Sequence, residues 1–250
     1  MPLDRIALIT GANKGVGKQV ARELVANGLT VVVGSRDLAR GQEAAAEIGE
    51  GATALQLDVT DDVSVASAAV WIREHFGRLD VLVNNAGISH TQEGFTMDDY
   101  AAMSHASTAS IDEVRAIWDV NVFGTLAVYQ AMLPLLRESS DARIVNVSSG
   151  LGSLASTADP AYPYRVTFGP GYPASKTALN AMAMAMMIEL EGTNIKVNVV
   201  SPAFTATALN NFQGTESVED GSREVVRVAL LGADGPTGTF TLWNGEVIPW

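Results

Sequence analysis

"RIALITGANKGVGKQVARELVANGLTVVVGSRD", residues 5–37, holds two short apolar runs, "RIALIT" (5–10) and "LTVVVGS" (29–35), joined by a glycine-rich turn and a stretch of helical spacing over 16–27. Nearly continuous β-branched runs of this length read as strands covered on both faces, and a helical crossover between two of them makes the strands parallel. The turn is "TGANKGVG", residues 10–17. Gly11 permits its tight bend, Gly15 lets backbone approach a ligand, and Gly17 allows the helix to pack closely. The helix start then offers free N–H groups and a partial positive charge to a pyrophosphate. The spacing Gly-x-x-x-Gly-x-Gly differs from the commoner dinucleotide turn, and an ordinary glycine-rich strand-to-helix loop would look the same.

Outward from this unit the alternation continues. "ATALQLD" (52–58), "LDVLVNNAG" (79–87), "ARIVNVSS" (142–149) and "IKVNVVS" (195–201) read as further strands, with "GTFTLW" (238–243) as a late addition. Helical spacing occupies 37–48, 61–76, 111–137 and 173–191. Strict alternation with right-handed crossovers predicts an α/β fold, a doubly wound parallel sheet with helices on both faces, in a single domain over residues 1–250.

Composition narrows the function. The chain has no cysteine, so disulfides and thiolate metal sites are excluded, and its three histidines (His75, His90, His105) lack metal-ligand spacing. A net charge of −12 argues against nucleic-acid partners and anionic membranes. The N-terminal apolar segment is too short for a signal peptide, and no apolar run approaches the roughly 18 residues of a membrane span, so a cytoplasmic protein is expected. The methionines at 182, 184, 186 and 187 read as packing.

Any phosphate must therefore be gripped locally. A ribose 2′-hydroxyl is usually held by a carboxylate at the end of the second strand, whereas a 2′-phosphate calls for a cation there. Here that strand ends with Ser35 and Arg36, and Lys14 sits in the glycine turn. This favours NADP(H) over NAD, the alternative being that Arg36 only pairs with Asp37 at the surface. Asp58 is placed either to accept from an adenine amino group or to cap the helix beginning near Asp61.

"TGANKGVG", "LDV" (57–59), "NNAG" (84–87), "VN" (120–121), "NVSS" (146–149) and "YPASK" (172–176), in this order over nearly the whole chain, resemble the short-chain dehydrogenase/reductase family. "ANKG" and "SRD" are similar in particular to its NADPH-dependent carbonyl reductases. The resemblance implies a seven-stranded Rossmann sheet and hydride transfer to or from a carbonyl. It runs the cofactor along Gly11, Asn13, Lys14, Gly15, Val16 and Gly17, beside Arg36, Asp58 and Val59, and against Asn85, Ala86 and Gly87. "SPAFTAT" (201–207) matches the family segment that meets the carboxamide, through Thr205 and Thr207, although Ala203 stands where glycine is expected.

Reducing a ketone puts negative charge on its oxygen, so the site needs a positioned proton donor. A tyrosine with an ordinary pKa of about 10 needs roughly 4 kcal/mol of differential stabilisation to reach about 7. Tyr172 and Lys176 are four residues apart, which puts them on one face at a helix start, where Pro173 costs no hydrogen bond. By resemblance Tyr172 is the acid/base, and Lys176 lowers its pKa and grips the nicotinamide ribose. Ser149 bonds the substrate oxygen, with Ser148 as its rival. Asn121, a polar amide inside an apolar helix, either ties helix to loop or holds a water that relays protons to Lys176.

Two connections depart from the family pattern in length. Gly87 and Asn121 are 34 positions apart, and Ser149 and Tyr172 are 23 apart. The inserted segments, about 90–110 and 153–170, fall at the ligand edge. Phe95, Met97, Tyr100 and Met103 in the first and Tyr162, Tyr164 and Phe168 in the second read as walls for a bulky apolar carbonyl compound, or pack only on one another. Phe204 and Phe212 join the candidate pocket residues, and a loop after 205, with Phe212, is placed to close as a lid. The apolar helix near 177–190 must be covered by the insert or by a second subunit, leaving monomer and homodimer both open. The expected partner is a small carbonyl or alcohol substrate. The competing reading is a nucleotide-sensing regulator without turnover, which would have no need of Tyr172 and Lys176 together.

Overall fold

In the computed structural model, which describes residues 5–92 and 105–250, seven strands form one sheet in the order β3-β2-β1-β4-β5-β6-β7. All adjacent pairs are parallel. The strands are β1 (Ile6–Ile9), β2 (Thr30–Ser35), β3 (Ala52–Gln56), β4 (Val81–Asn84), β5 (Ala142–Val147), β6 (Ile195–Ser201) and β7 (Phe240–Leu242). The period of two divides each strand between two cores. Leu8, Val32, Leu82, Ile144 and Val197 face one cluster; Ala7, Ile9, Val31, Val33, Val83 and Val145 face the other.

The first core is closed by α3 (Asp62–Phe76), α5 (Thr125–Leu136) and α7 (Tyr172–Glu189), and α4 (Ile111–Trp118) leads into α5. The second is closed by α1 (Gly15–Ala26), α2 (Leu38–Ile48) and α8 (Val218–Ala229). A short α6 (Leu154–Ala158) lies in the second insert. Strand order reverses between β1 and β4, so the ligand crevice of this topology opens at their C-terminal ends.

Three differences from the sequence-based expectation have local causes. The single helix expected over 111–137 is continuous but changes hand-hold midway, with a π-helical turn at Asp119–Gly124 between α4 and α5. Gly124 is forced there by contact: a Cβ on it would lie 2.7 Å from Val59 Cγ2. This continuous helix is long and apolar enough to cross a membrane, but Val128, Tyr129, Met132, Leu135 and Leu136 are buried in the first core. Helix α8 was not foreseen, because Gly221 interrupts an otherwise amphipathic stretch. That glycine is a packing requirement, since a Cβ would lie 2.2 Å from Thr205 Oγ1. The strand expected over 79–87 ends at Asn84, which frees residues 85–87 as loop.

Helix α7 is covered on its buried side by the sheet and by the π-turn region, with Leu179, Ala183 and Met186 in the interior and Ile188 exposed. Of the first insert, residues 105–110 form a turn leading to Ser110, which caps α4. Phe95, Met97, Tyr100 and Met103 lie outside the described residues.

Candidate active site

The crevice is built first by the glycine turn. Gly11 and Gly15 have φ of 63° and 56°, the left-handed region that glycine enters without penalty. Lys14 stands at the N-cap of α1 with no side-chain cap, so the first N–H groups of the helix keep their donors for a ligand. Gly17 is required by Asn85, whose Nδ2 would lie 2.4 Å from a Cβ there. Asn85 Nδ2 donates to the carbonyls of Thr10 and Gly11, at 2.9 and 3.2 Å. Its amide nitrogen is therefore spent on bracing the turn. Ala86 packs against Gly11, 3.0 Å from the position of a Cβ, and its N–H donates to Thr10 Oγ1. Asn13 and Val16 are partly exposed along the turn, and Val16 also packs on the second core.

Arg36 is exposed at the end of β2, and no hydrogen-bond or ionic partner of it is found among the described residues. The alternative pairing with Asp37 is not formed: Asp37 caps α2 by accepting from Arg40 N and lies 3.4 Å from the Arg40 side chain. Asp58 is not a helix cap either. Asp61 caps α3, while Asp58 Oδ1 accepts from Thr60 N and Oγ1 in a local turn. Val59 is buried against Gly124, so it supports the π-turn.

At the other end of the crevice, β5 and α7 bring Ser149, Tyr172 and Lys176 together. The chain leaving β5 crosses α7 so closely that a Cβ on Gly152 would lie 2.8 Å from the Lys176 carbonyl carbon. Ser148 is buried, donates to Asn180 Oδ1 at 2.6 Å and reaches the Lys176 carbonyl, which removes it as a rival. Ser149 is left at the crevice, hydrogen-bonded to Tyr172. Trp118 Nε1 donates to Pro170 O at 3.0 Å, fixing the approach to Tyr172, and Pro173 occupies the first turn of α7.

Lys176 Nζ is buried, donates to Val147 O at 2.9 Å, and lies 5.6 Å from the centre of the Tyr172 ring. Burial brings its pKa down to about 8. Tyr172 behaves oppositely to expectation. Although the residue is only partly shielded overall, its hydroxyl is deep enough that burial pushes its pKa up to about 12, and the Ser149 hydrogen bond only partly offsets this. Desolvation disfavours both charged forms, and among the described residues no carboxylate is placed to hold the ammonium.

Asn121 forms the helix-to-loop tie. Its Oδ1 accepts from Ile88 N at 2.8 Å, and its Nδ2 donates to Ile88 O and to Ser175 Oγ, both at 2.9 Å. Gly87 faces the gap between this amide and the lysine. A Cβ there would lie 3.2 Å from Asn121 Oδ1 and 3.4 Å from Lys176 Nζ, so a side chain at 87 would crowd this gap. Ser175 was missed in the sequence. It donates to Tyr172 O at 2.7 Å and links Asn121 to the first turn of α7.

The segment after β6 separates its two threonines. Thr205 is buried, donates to Ala203 O at 2.9 Å and packs on Gly221. Thr207 lies against the glycine turn, its Cγ2 3.4 Å from the position of a Gly15 Cβ. Phe204 and Phe212 are exposed on the same segment. In the second insert, Tyr162 is partly buried with its hydroxyl 3.7 Å from the position of a Gly150 Cβ, next to Ser149. Tyr164 is exposed and packs edge-on against Tyr162, the ring centres 5.8 Å apart.

Residues 5–217 match the family model described as short chain dehydrogenase. Salutaridine reductase from Papaver somniferum is 31% identical, over 94% of this chain and 93% of its own length. Its solved structure superposes with a TM-score of 0.80 at 29% identity, covering 94% of this chain and 99% of that one. (+)-Neomenthol dehydrogenase from Arabidopsis thaliana is 32% identical over 94% of this chain and 95% of its own. The structure of 3-ketoacyl-(acyl-carrier-protein) reductase from Brucella melitensis complexed with NADH has a TM-score of 0.78 at 26% identity, covering 95% and 96%. With the sheet order, the glycine turn and the clustered serine, tyrosine and lysine, these matches make the chain a member of the short-chain dehydrogenase family, an oxidoreductase fold that takes nicotinamide dinucleotides.

Proposed function

We propose that this protein is an NADPH-dependent reductase that converts a bulky apolar ketone or aldehyde to its alcohol, reversibly. The observation that carries the chemistry is the convergence of Ser149, Tyr172 and Lys176 beside a glycine turn whose helix N-terminus is uncapped. The bound dinucleotide would supply hydride to the carbonyl carbon. Ser149 and Tyr172 hold the carbonyl oxygen between their hydroxyls, and Tyr172, which keeps its proton at neutral pH, gives it to the oxygen as negative charge develops. Lys176, over the ring, would stabilise the tyrosinate left behind and would hold the ribose hydroxyls of the dinucleotide through its remaining N–H groups. A regulator without turnover would not need this set.

The cofactor choice rests on Arg36 and Lys14, both exposed at the adenosine end and facing no partner among the described residues. A 2′-phosphate matches two cations where a bare ribose would call for an acid. The preference is tested by titrating NADPH and NADH into the protein and into Arg36→Asp. Tighter binding of NADPH, weakened or reversed in the variant, is expected; equal affinities in the parent would overturn it.

The aromatic rim of Tyr162 and Tyr164 supports the bulky apolar substrate class, as does the similarity to proteins named salutaridine reductase and (+)-neomenthol dehydrogenase. Tyr162, nearest Ser149, is the inner wall. In a panel of ketones and aldehydes followed by loss of NADPH absorbance, Tyr162→Ala should raise KM for bulky substrates more than Tyr164→Ala does.

A further inference from the structure

The segment between β6 and α8 leaves its own strand and reaches back over the sheet edge to β1. Its base is self-contained: Ala206 N donates to Glu216 O at 2.9 Å and Thr215 N to Phe204 O at 2.7 Å. Its tip is a short 3-10 turn (Ala208–Asn210) capped by Thr207, followed by Asn211 and Phe212 with φ of 52° and 61°. Asparagine suits the left-handed region, but a bulky phenylalanine adopts it only where its surroundings impose it. Phe212 N donates to Thr207 O at 2.8 Å and fixes that geometry.

Two contacts fasten the tip on opposite sides of the strand-order reversal. On the β1 side Thr207 lies against Gly15. On the β4 side Ser89, itself buried, places its Oγ 2.5 Å from Leu209 O, across 120 residues of sequence. Ser89 Oγ is also 2.7 Å from His90 Nδ1. A serine hydroxyl has one proton to give. The carbonyl of Leu209 can only accept, so that proton goes to Leu209 and His90 Nδ1 must be the protonated nitrogen that donates to Ser89. The histidine thus orients the hydroxyl toward the flap.

We propose that Ser89 is the latch of this flap: its hydroxyl, oriented by His90, holds residues 205–213 closed across the crevice, and exchange of the dinucleotide requires the Ser89–Leu209 bond to break. The proposal rests on reading the crevice as the dinucleotide site. Ser89 acts here as a positioning residue, through Leu209 and Thr207.

The test compares the parent with Ser89→Ala and Ser89→Thr by hydrogen exchange on the cofactor-free protein and by stopped-flow release of NADPH. Losing one neutral hydrogen bond should raise exchange of the 205–213 amides and the NADPH release rate by about two- to tenfold in Ser89→Ala. Exchange in the sheet should not change, and Ser89→Thr, which keeps the hydroxyl, should restore both. Unchanged exchange over 205–213 in Ser89→Ala, or a rise shared equally by the sheet, would overturn the latch. Failure of NADPH to bind the parent would instead overturn the dinucleotide reading, with the exchange experiment still deciding the latch.

Discussion

At Tyr172 and Lys176 two effects compete, and in the cofactor-free protein desolvation prevails over mutual charge stabilisation. The tyrosine is held neutral, pushed up to about 12, and the lysine is drawn down to about 8 from an ordinary 10.5. A protonated tyrosine is the form that can donate to a developing alkoxide, as the proposed reduction requires. Tyr172→Phe should lower turnover by about 100-fold or more while NADPH affinity is retained, checked by single-turnover kinetics and titration. The lysine has a consequence for stability. Between pH 8 and 10.5 the unfolded chain binds more protons at this position than the folded one, so stability rises with pH over that window. The gain attributable to Lys176 is about 3 kcal/mol. Denaturant titrations across the window should show it in the parent and not in Lys176→Met.

At the scale of elements, helix α8 and the flap base interlock through one missing methyl. A glycine inside an exposed helix normally gains about 1 kcal/mol when replaced by alanine. Gly221→Ala should instead destabilise by about 1–3 kcal/mol, because the new Cβ falls on Thr205 Oγ1 and the flap base must shift. The measurement is the urea midpoint, and Thr205→Ala in the same chain should recover part of the loss if the clash is the cause. The π-turn at Asp119–Gly124 has an equally local origin. Gly124 lets the helix approach Val59, and the turn presents Asn121 to the loop after β4 and to Ser175 at once.

Across the whole molecule, the active-site loops are braced from the last residues of the sequence. Ser153 Oγ donates to Pro249 O at 2.7 Å, Ala155 N donates to Trp250 O at 3.1 Å, and the Trp250 ring packs on Phe240 with centres 5.6 Å apart. These contacts hold the second insert where it leaves Ser149. Trp250→Ala should cost about 1–3 kcal/mol and raise hydrogen exchange over residues 153–158 beyond any change in the sheet. Exchange in that stretch equal to the parent would show that the insert is held by other contacts.

The order of strands and helices, the glycine turn and the Tyr172–Lys176 pair were legible because each depends on local rules: period two in a strand, left-handed φ at Gly11 and Gly15, and one helical turn between positions four apart. Other assignments turned on which distant groups meet. Ser148 and Ser149 are adjacent in sequence, and only the approach of Asn180 and the Lys176 carbonyl from α7 turns one inward and leaves the other at the crevice. Asn85 looked available until folding placed the Thr10 and Gly11 carbonyls against its amide. Thr205 and Thr207 are two residues apart, yet α8 buries the first while the flap carries the second to Gly15. Helix α8 itself is masked by a glycine whose reason lies in another segment. The sequence by itself determined the alternating α/β architecture and the placement of Tyr172 and Lys176 one helical turn apart, since short-range geometry suffices for both. Tertiary structure alone decided which polar groups remain free for a ligand, because a hydrogen bond is exclusive and its partner comes from far along the chain.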